Sequence, residues 1–210
     1  PDSHQGWRTQ TLGRLLGRVH IVRAMHLHKS EYVVLPTPLS TAQCLVSKLH
    51  YTRGGSNTAV RVDGLYHKDD LTKCLGVAWW LPPTKVAAQS VHPEWTRVLS
   101  LTRLVLDPSV PTNGASFLLS KSIRNLKKEG KYKALVTYAD ESQGHTGNIY
   151  RACNWTYVGR TGPYPRWISS EGRQVSPKAT KNRTKQEMLD LGHTLQGRFY
   201  KHKFVYILGP

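Results

Sequence analysis

The stretch TYADESQGHTGNIYRACNWTYVG, Thr137 to Gly159, gathers several side chains that can do chemistry. Asp140 follows an apolar run that reads as a buried strand. In α/β folds, ligands and reacting groups collect at the carboxyl ends of parallel strands. A carboxylate there can accept a proton or hold a metal; the ordinary alternative is an Asp that starts a turn. His145 lies between Gly144 and Gly147. It can meet a phosphate or a base, or simply occupy a surface loop. Cys153 is a nucleophile by type, but a lone Cys in a helical segment is expected in the core. Further back, Arg103 interrupts the apolar run SLTRLVL. A charge in such a run must be paired or must face solvent or a site. A structural pairing with Asp140 or another acid is one reading, and a role in the site is the other.

The elements that must position these residues follow from periodicity. VLSLTRLVLDP (Val98 to Pro108) reads as a strand stopped by Asp-Pro. After the loop SVPTNG, ASFLLSKSIRNLKKEG is the clearest helix. Ala115, Leu118, Leu119, Ser122 and Leu126 form its stripe, and Gly130 ends it. YKALVTYA (Tyr132 to Ala139) reads as a buried strand, Gly147 to Asn154 as a short helix, and WTYVGR as a further strand. Two strands joined by a helical crossover must be parallel. Upstream, TAVRVDGLYH and KCLGVAWWLPP read as a hairpin. EYVVLP reads as a short strand, and PLSTAQCLVSKLHY as a helix capped by Ser40. GRVHIVRAMHLH (Gly17 to His28) is a weaker strand candidate. The sum is a mixed α/β sheet.

The chain has 210 residues, with 30 Lys and Arg against 13 acids and a net charge of +17. Such an excess fits a polyanionic partner. No apolar stretch reaches the about 18 residues of a spanning helix, so nucleic acid is preferred over membrane. Three scattered cysteines give neither a disulfide framework nor a zinc spacing, and they fit a reducing cytoplasm. The last fifty residues interleave cations with aromatics: Arg160, Tyr164, Arg166, Trp167, Arg173, Lys178, Lys181, Arg183. Cations neutralise phosphates and aromatics stack on bases, so this segment is expected to touch nucleic acid. A solvated basic tail pinned by its aromatics is the plainer reading.

The element order resembles the GNAT acyltransferase superfamily. There a central strand feeds a loop and helix whose N-terminus binds the pyrophosphate of coenzyme A. The matching loop is VPTNGAS, Val110 to Ser116. Asn113, Gly114 and Ala115 stand where that family has Gly-x-Gly or Gly-x-Ala, and Val110 replaces the usual Gln or Arg. NIYRACNWTYVG resembles the later LYxxxGFxxxG motif, with Tyr150 at its Tyr. YAD followed by GHTGxIYRAxNWxYxG narrows the resemblance to the phage Mom proteins, a divergent branch that modifies adenine in DNA. It is densest from Val98 to Gly159, with further support from LHY at Leu49 to Tyr51. The implied fold is a GNAT-like mixed central sheet with flanking helices. The expectation is one such domain over residues 1–210, with residues 160–210 as a basic extension packed on it.

The resemblance implies an enzyme that converts the exocyclic amino group of adenine in DNA to its carbamoylmethyl (acetamido) derivative, which shields DNA from restriction endonucleases. Simple acyl transfer does not yield that product. It implies the host bacterial cytoplasm, and iron as the metal. His50 and Tyr51 match the family's HY pair; with Asp140 and Tyr150 they offer a mixed N/O donor set. Asp140 is then the base or a metal ligand. Tyr150 is an acid, a ligand, an anchor or a core aromatic. Arg103 becomes an active-site or phosphate-binding residue. Ser120 or Ser122 has a role on the helix after the loop. The donor stays open among a coenzyme A derivative, an aminoacyl-tRNA and a glycine-derived small molecule. Double-stranded DNA is the expected partner, with the base flipped out of the stack. Trp79, Trp80, Trp155 and Tyr157 are candidates for stacking, although most Trp residues are core. The alternatives are a conventional acyl-CoA-dependent N-acetyltransferase and a non-catalytic DNA-binding module.

Overall fold

The computed structural model describes residues 26–51 and 54–209, without the side chains of Pro177 and Lys178. Most of the strand expected over Gly17 to His28 lies outside the described residues; of it, His26 forms one parallel bridge to Thr112. Strands β1 (Tyr32–Pro36), β2 (Arg61–His67), β3 (Gly76–Leu81), β4 (Val98–Leu106), β5 (Ala134–Asp140), β6 (Thr156–Ile168) and β7 (Thr194–Ile207) make one sheet. Their spatial order is β1-β2-β3-β4-β5-β7-β6. Helices α1 (Leu39–Leu49), α2 (Lys85–Gln89), α3 (Gly114–Glu129), α4 (Asn148–Ala152), α5 (Pro177–Thr180) and α6 (Lys185–Asp190) connect them.

Apolar side chains cover both faces of the sheet. Ala42 and Val46 of α1 pack on Val62, Val77, Trp79 and Val105. Ala88 of α2 packs farther along the same face on Val98, Ala134, Val136 and Val205. On the opposite face, Leu118, Leu119 and Leu126 of α3 pack on Leu65, Trp80, Leu99 and Leu135. Of the expected α3 stripe, Leu118, Leu119, Ser122 and Leu126 are buried, joined by Phe117 and Ile123, while Ala115 is half-buried; Gly130 ends the helix at φ 64°. In α1 the start differs from expectation. Pro38 stands at the N-cap and no side chain caps the helix, so Ser40 lies within the first turn. A fixed proline φ enters a helix readily, and its missing N–H costs nothing there.

The β4–α3–β5 crossover is parallel, as its length requires. The other pairs are antiparallel. Two features of β4 set the site. Its ladder to β5 runs only from Val98↔Ala134 to Ser100↔Val136, so the two strands diverge toward their carboxyl ends. Against β3, Trp80 pairs with Leu101 and Trp79 with Arg103, which leaves Thr102 as an extra residue. A bulge of one residue shifts the alternation of every side chain beyond it. Leu101 therefore faces α3, whereas Val105 faces α1.

Much of the expected basic extension is sheet. Residues 160–168 complete β6, and β7 is inserted between β5 and β6. β5 pairs only with Lys201–Ile207 of β7. The rest of β7 and β6 continue past β5 as a two-stranded ribbon. Among the described residues no helix is long and apolar enough to cross a membrane.

Beneath the sheet lies a fully buried carboxylate, Asp63. Arg61 grips it with two hydrogen bonds of 2.6 and 2.7 Å. Ser122 of α3 also donates to it and accepts from Trp80 Nε1 at 2.8 Å. A buried polar group is tolerable only when so paired. Ser122 is thus structural, which assigns the second of the two helix serines to the core. Ser122→Ala strands the indole N–H and one carboxylate lone pair. It is expected to lower the unfolding free energy by about 1–3 kcal/mol in urea titrations.

Candidate active site

The diverging strands open a wedge, and the residues singled out in the sequence line it from several elements. Along β5 alternate residues face opposite ways. Leu135 and Ala139 face α3, while Ala134 and Val136 face α2. By the same alternation Asp140 falls on the α1–α2 face. The bulge at Thr102 brings Arg103 to that face as well. His50 and Tyr51 arrive from the end of α1, with ring centroids 4.2 Å apart. His145, from the loop after β5, meets Tyr51 edge-on at 5.9 Å. Residues as far as 95 positions apart in the chain, His50 and His145, thus close into one cluster.

Asp140 is 7% exposed. Its Oδ1 accepts the Ser142 N–H at 3.0 Å, and Lys201 Nζ lies 3.5 Å from Oδ2. Arg103 is not the partner of Asp140. Its guanidinium donates to the carbonyls of Gly54 (3.0 and 3.2 Å) and Thr102 (2.7 Å). The charge inside the apolar strand is thus held by backbone oxygens and faces the site. Burial pulls Arg103 down from its ordinary range, and Tyr51 opposes that shift. Burial, then electrostatic interaction with Arg103 and with His145, lowers His50 from 6.5 to about 4. His50 is therefore a neutral imidazole at pH 7. Burial, then Asp140, pushes the Tyr51 phenol up, and Arg103 pulls it back.

Tyr150 lies on the other side of β5. Its ring packs on Trp155 and Phe204, at 5.7 and 5.3 Å between centroids. The residue keeps some exposed edge, but its hydroxyl is enclosed and hydrogen-bonds to Thr137. Burial raises its pKa, so the phenol stays protonated. Thr137 in turn donates to the Leu101 carbonyl at 3.1 Å, bridging the wedge just beyond its last ladder pair. Both of Tyr150's readings hold together: the ring is core, and the hydroxyl sits at the wedge.

The loop before α3 is built as a cradle, although partly by the chain itself. Asn113 is left-handed at φ 72° and precedes the helix. Its amide meets His26 Nδ1 at 2.9 Å, and Leu27 N–H donates to Thr112 O at 3.0 Å. Gly114 is buried, and a Cβ there would stand 2.2 Å from Val110. Its smallness serves that packing; Ala115 follows in the first turn. Beside the loop lies a cavity of about 450 Å³ lined by Lys29, Ser116, Ser120, Lys121 and Arg124. Three cations and two hydroxyls suit phosphate groups. Ser120 also donates to the buried Cys153 thiol at 3.7 Å. Burial raises that thiol, so Cys153 is core and not a nucleophile.

A bound iron fits the described donors poorly. Among the described residues no three His, Cys, Asp or Glu side chains are grouped to hold a metal ion. His50, Tyr51, Asp140 and Tyr150 would have to supply two tyrosinates, and both phenols are shifted toward the protonated form. No step below is routed through a metal.

The remaining basic residues divide. Arg160 is exposed, its guanidinium 3.9 Å above the Tyr200 ring. Arg173 pairs with Glu171, and Arg183 donates to the Ala179 carbonyl at 2.7 Å; both are exposed. Lys181 is exposed at the rim of a large cavity. The side chain of Lys178 lies outside the described residues. Arg166 is half-buried and donates to the Ser142 carbonyl, bracing the turn that follows Asp140. Trp167 is a correction. At 5% exposure its indole is core and unavailable to a base, because inward alternation in β6 won over its basic neighbours. Trp79, Trp80 and Trp155 are buried too. Tyr157 is exposed but lies under the Arg151 guanidinium at 5.4 Å.

The sequence matches the profile of the Mom protein family over residues 31–210. The chain belongs to that family. A comparison with curated proteins gave no significant match. Among solved structures this Mom-family chain is similar to the ribosomal-protein-S18-alanine N-acetyltransferase of Escherichia coli. That likeness has 12% identity and a TM-score of 0.52, and covers 85% of this chain and 95% of that one. It is similar also to Arabidopsis thaliana NAA60 in complex with a bisubstrate analogue: 9% identity, TM-score 0.55, 84% and 97% covered. A third is the spermidine N-acetyltransferase of Vibrio cholerae in complex with CoA and spermine: 7% identity, TM-score 0.51, 85% and 96% covered. At such identities the likeness is one of fold: this Mom-family chain has the GNAT acetyltransferase architecture.

Lys201 escaped the sequence reading. FYKHKFV alternates, so Phe199, Lys201 and Lys203 share a face once the segment is known to be a strand. Only the pairing Asp140↔Lys201 shows what they face. For His50, the unfolded value is 6.5 and the folded value about 4. Between these the unfolded chain holds the extra proton. The stabilising contribution is present above pH 6.5 and is lost as pH falls through about 4. An NMR titration of the His50 ring should show a midpoint near 4, and His50→Asn should flatten acid destabilisation across that window. A midpoint near 6.5 would show that the ring is not buried against Arg103 and His145.

Proposed function

We propose that this protein modifies the exocyclic amino group of adenine in DNA, converting it to the carbamoylmethyl derivative. The observation that carries the reading is Asp140: a buried carboxylate at the mouth of the β4–β5 wedge, in a chain of the Mom family. Adenine's amino nitrogen is a weak nucleophile because its lone pair is delocalised into the ring. As the new N–C bond forms, the bond from that carbon to the donor's leaving group breaks, and the nitrogen loses a proton. Asp140 can accept that proton, and Lys201 at 3.5 Å balances its charge. Tyr150 stays protonated; released from Thr137, its hydroxyl would donate to the leaving group as that group takes the bonding electron pair. Arg103 and neutral His50 frame the same opening. Arg103 supplies fixed positive charge, and His50 supplies a neutral hydrogen-bonding ring.

The cavity beside α3 supports a donor that carries phosphates, because Lys29, Lys121 and Arg124 converge there. A coenzyme A derivative or an aminoacyl-tRNA has that chemistry, and a glycine-derived small molecule does not. A coenzyme A derivative would set its phosphates near Asn113, Ser116 and Ser120; an ordinary thioester of it serves acetyl transfer and does not by itself give the carbamoylmethyl product. The same cavity favours, as a second reading, conventional acetyl transfer to an amine. Tight calorimetric binding of acetyl coenzyme A with turnover on a DNA-free amine would establish that reading. The net charge of +17 supports duplex DNA as the partner.

The test is nucleoside mass spectrometry of plasmid DNA from cells that make the protein. Modified adenine is expected with the wild type. Asp140→Asn and Tyr150→Phe should each reduce it by about 100-fold or more. Loss of modified adenine in Asp140→Ala, with unchanged duplex affinity, would exclude a purely binding role. Unmodified adenine throughout, with folded wild-type protein, would overturn the proposal.

A further inference from the structure

A second, larger cavity of about 810 Å³ opens on the α2 face beneath the β6–β7 ribbon. Asp140 and Tyr138 of β5 line it, with Phe199, Lys201 and Lys203 of β7 and Tyr164 of β6. The short helix α2 and the segment around Lys181 close its other sides. Its volume is in the range of small-molecule sites, about 300–1,000 Å³. It lies on the opposite face of the sheet from the phosphate-suited cavity beside α3, and Asp140 brings it to the mouth of the wedge.

The chemistry of this cavity is one-sided. Three aromatic rings offer flat apolar faces. Lys201, Lys203, Arg166 and Lys181 supply positive charge, against the single carboxylate of Asp140. A cationic acceptor such as a polyamine would be repelled by that surplus. An anionic ligand with a π-face suits it: rings stack on aromatics, and phosphates pair with lysines. The carboxylate then discriminates between bases. It accepts an N–H from the exocyclic amine of adenine or cytosine, where thymine presents a carbonyl oxygen that the carboxylate repels.

We propose that this cavity receives one extrahelical deoxyadenosine nucleotide of duplex DNA, with its amino edge on Asp140, its ring against Tyr164 and Phe199, and its flanking phosphates on Lys201 and Lys203. The proposal rests on the function above and names the residues that select its acceptor. Tyr164 is suited to hold a base because its side chain is 49% exposed and Lys201 Nζ stands 5.8 Å from its ring. Lys203 already reaches across the cavity to Ser90 Oγ at 2.6 Å. Burial depresses its pKa, as expected of an ammonium waiting for an anion. Arg166 has a buried Nε without a hydrogen-bond partner.

The experiment compares two duplexes that differ only at one adenine, fully paired in one and opposite an abasic site in the other. Unpairing an already orphaned base costs little, so a flipped-base pocket prefers the second duplex. Wild-type protein should bind it about 10-fold more tightly in fluorescence anisotropy, the free-energy equivalent of about 1.4 kcal/mol of unpairing and unstacking. Tyr164→Ala should cut that preference to about 2-fold or less while affinity for the paired duplex changes by about 3-fold or less; Lys201→Gln should cut the preference likewise and weaken both duplexes through the lost phosphate contact. Tyr164→Phe, which keeps the ring, should retain the preference and guards against a folding defect. Replacing the orphaned adenine by thymine should reduce it, and Asp140→Asn should level that discrimination. Equal affinity of the wild type for both duplexes overturns the proposal, as does an undiminished preference in both Tyr164→Ala and Lys201→Gln. Modified adenine in cells beside either of those results would leave the enzymatic reading intact and remove only this pocket. A preference lost in the variants without any modified adenine would do the reverse.

Discussion

Three ladder pairs hold β4 to β5, from Val98↔Ala134 to Ser100↔Val136, and then the strands part. Everything at the site depends on that short parallel register. Longer pairing would close the sheet and leave no place for a reacting group between its layers. The separation is fixed from both sides. β4 stays bound to β3 out to Leu106, and β5 stays bound to β7 out to Asp140. Thr137 spans the start of the opening with a hydrogen bond to Leu101 O. Strand edges that would otherwise have paired therefore frame a cleft. The bulge at Thr102 completes the device. It keeps Leu101 in the α3 core and turns Arg103 to the α1–α2 face. Without the extra residue, Arg103 would enter the apolar layer on α3, where burying a charge is costly.

Charge is arranged around this opening with the same economy. The chain is strongly basic, yet a carboxylate sits at its centre. Asp140 is held by the Ser142 amide and balanced by Lys201. His50 is kept neutral by burial beside Arg103. Tyr150 is kept protonated by enclosure. Asp63, a deeply buried carboxylate away from the site, has Arg61, Ser122 and, through Ser122, Trp80 around it. That network ties β2 and β3 to α3 and so fixes the helix that carries Ser116 and Ser120 along the cavity.

The two cavities divide the labour of the sheet between its faces. The α3 side offers Lys29, Lys121 and Arg124 beside a helix start. The α2 side offers aromatic rings, lysines and Asp140. The proposed donor and acceptor sites therefore lie on opposite faces, and the residues around the wedge come from α1, β4, β5 and α4, so that no single segment contains the site. The β6–β7 ribbon projects past β5 on the acceptor side, and its exposed Arg160 and Arg198 extend the positive surface beyond the cavity.

Local periodicity made the β4–α3–β5–α4–β6 order legible. Strand alternation, the α3 stripe and the stops at Asp107-Pro108 and Gly130 need only nearest neighbours in the chain. The ordered block from Asp140 to Gly159, with His50 and Tyr51, gave the family and the residues that now sit around the wedge. Composition alone was less informative for the last fifty residues. Arg, Tyr and Trp in a polar stretch look alike whether they form a tail or a strand. Trp167 turned inward and Arg166 braced the Asp140 turn because β6 pairs along its whole length with β7. Sequence by itself thus determined which elements form and which side chains can react. Tertiary structure decided which of them meet: the early parting of β4 from β5, the bulge that turns Arg103, and the register that sets Lys201 opposite Asp140. Those depend on contacts between residues tens of positions apart, whose free energy no local pattern carries.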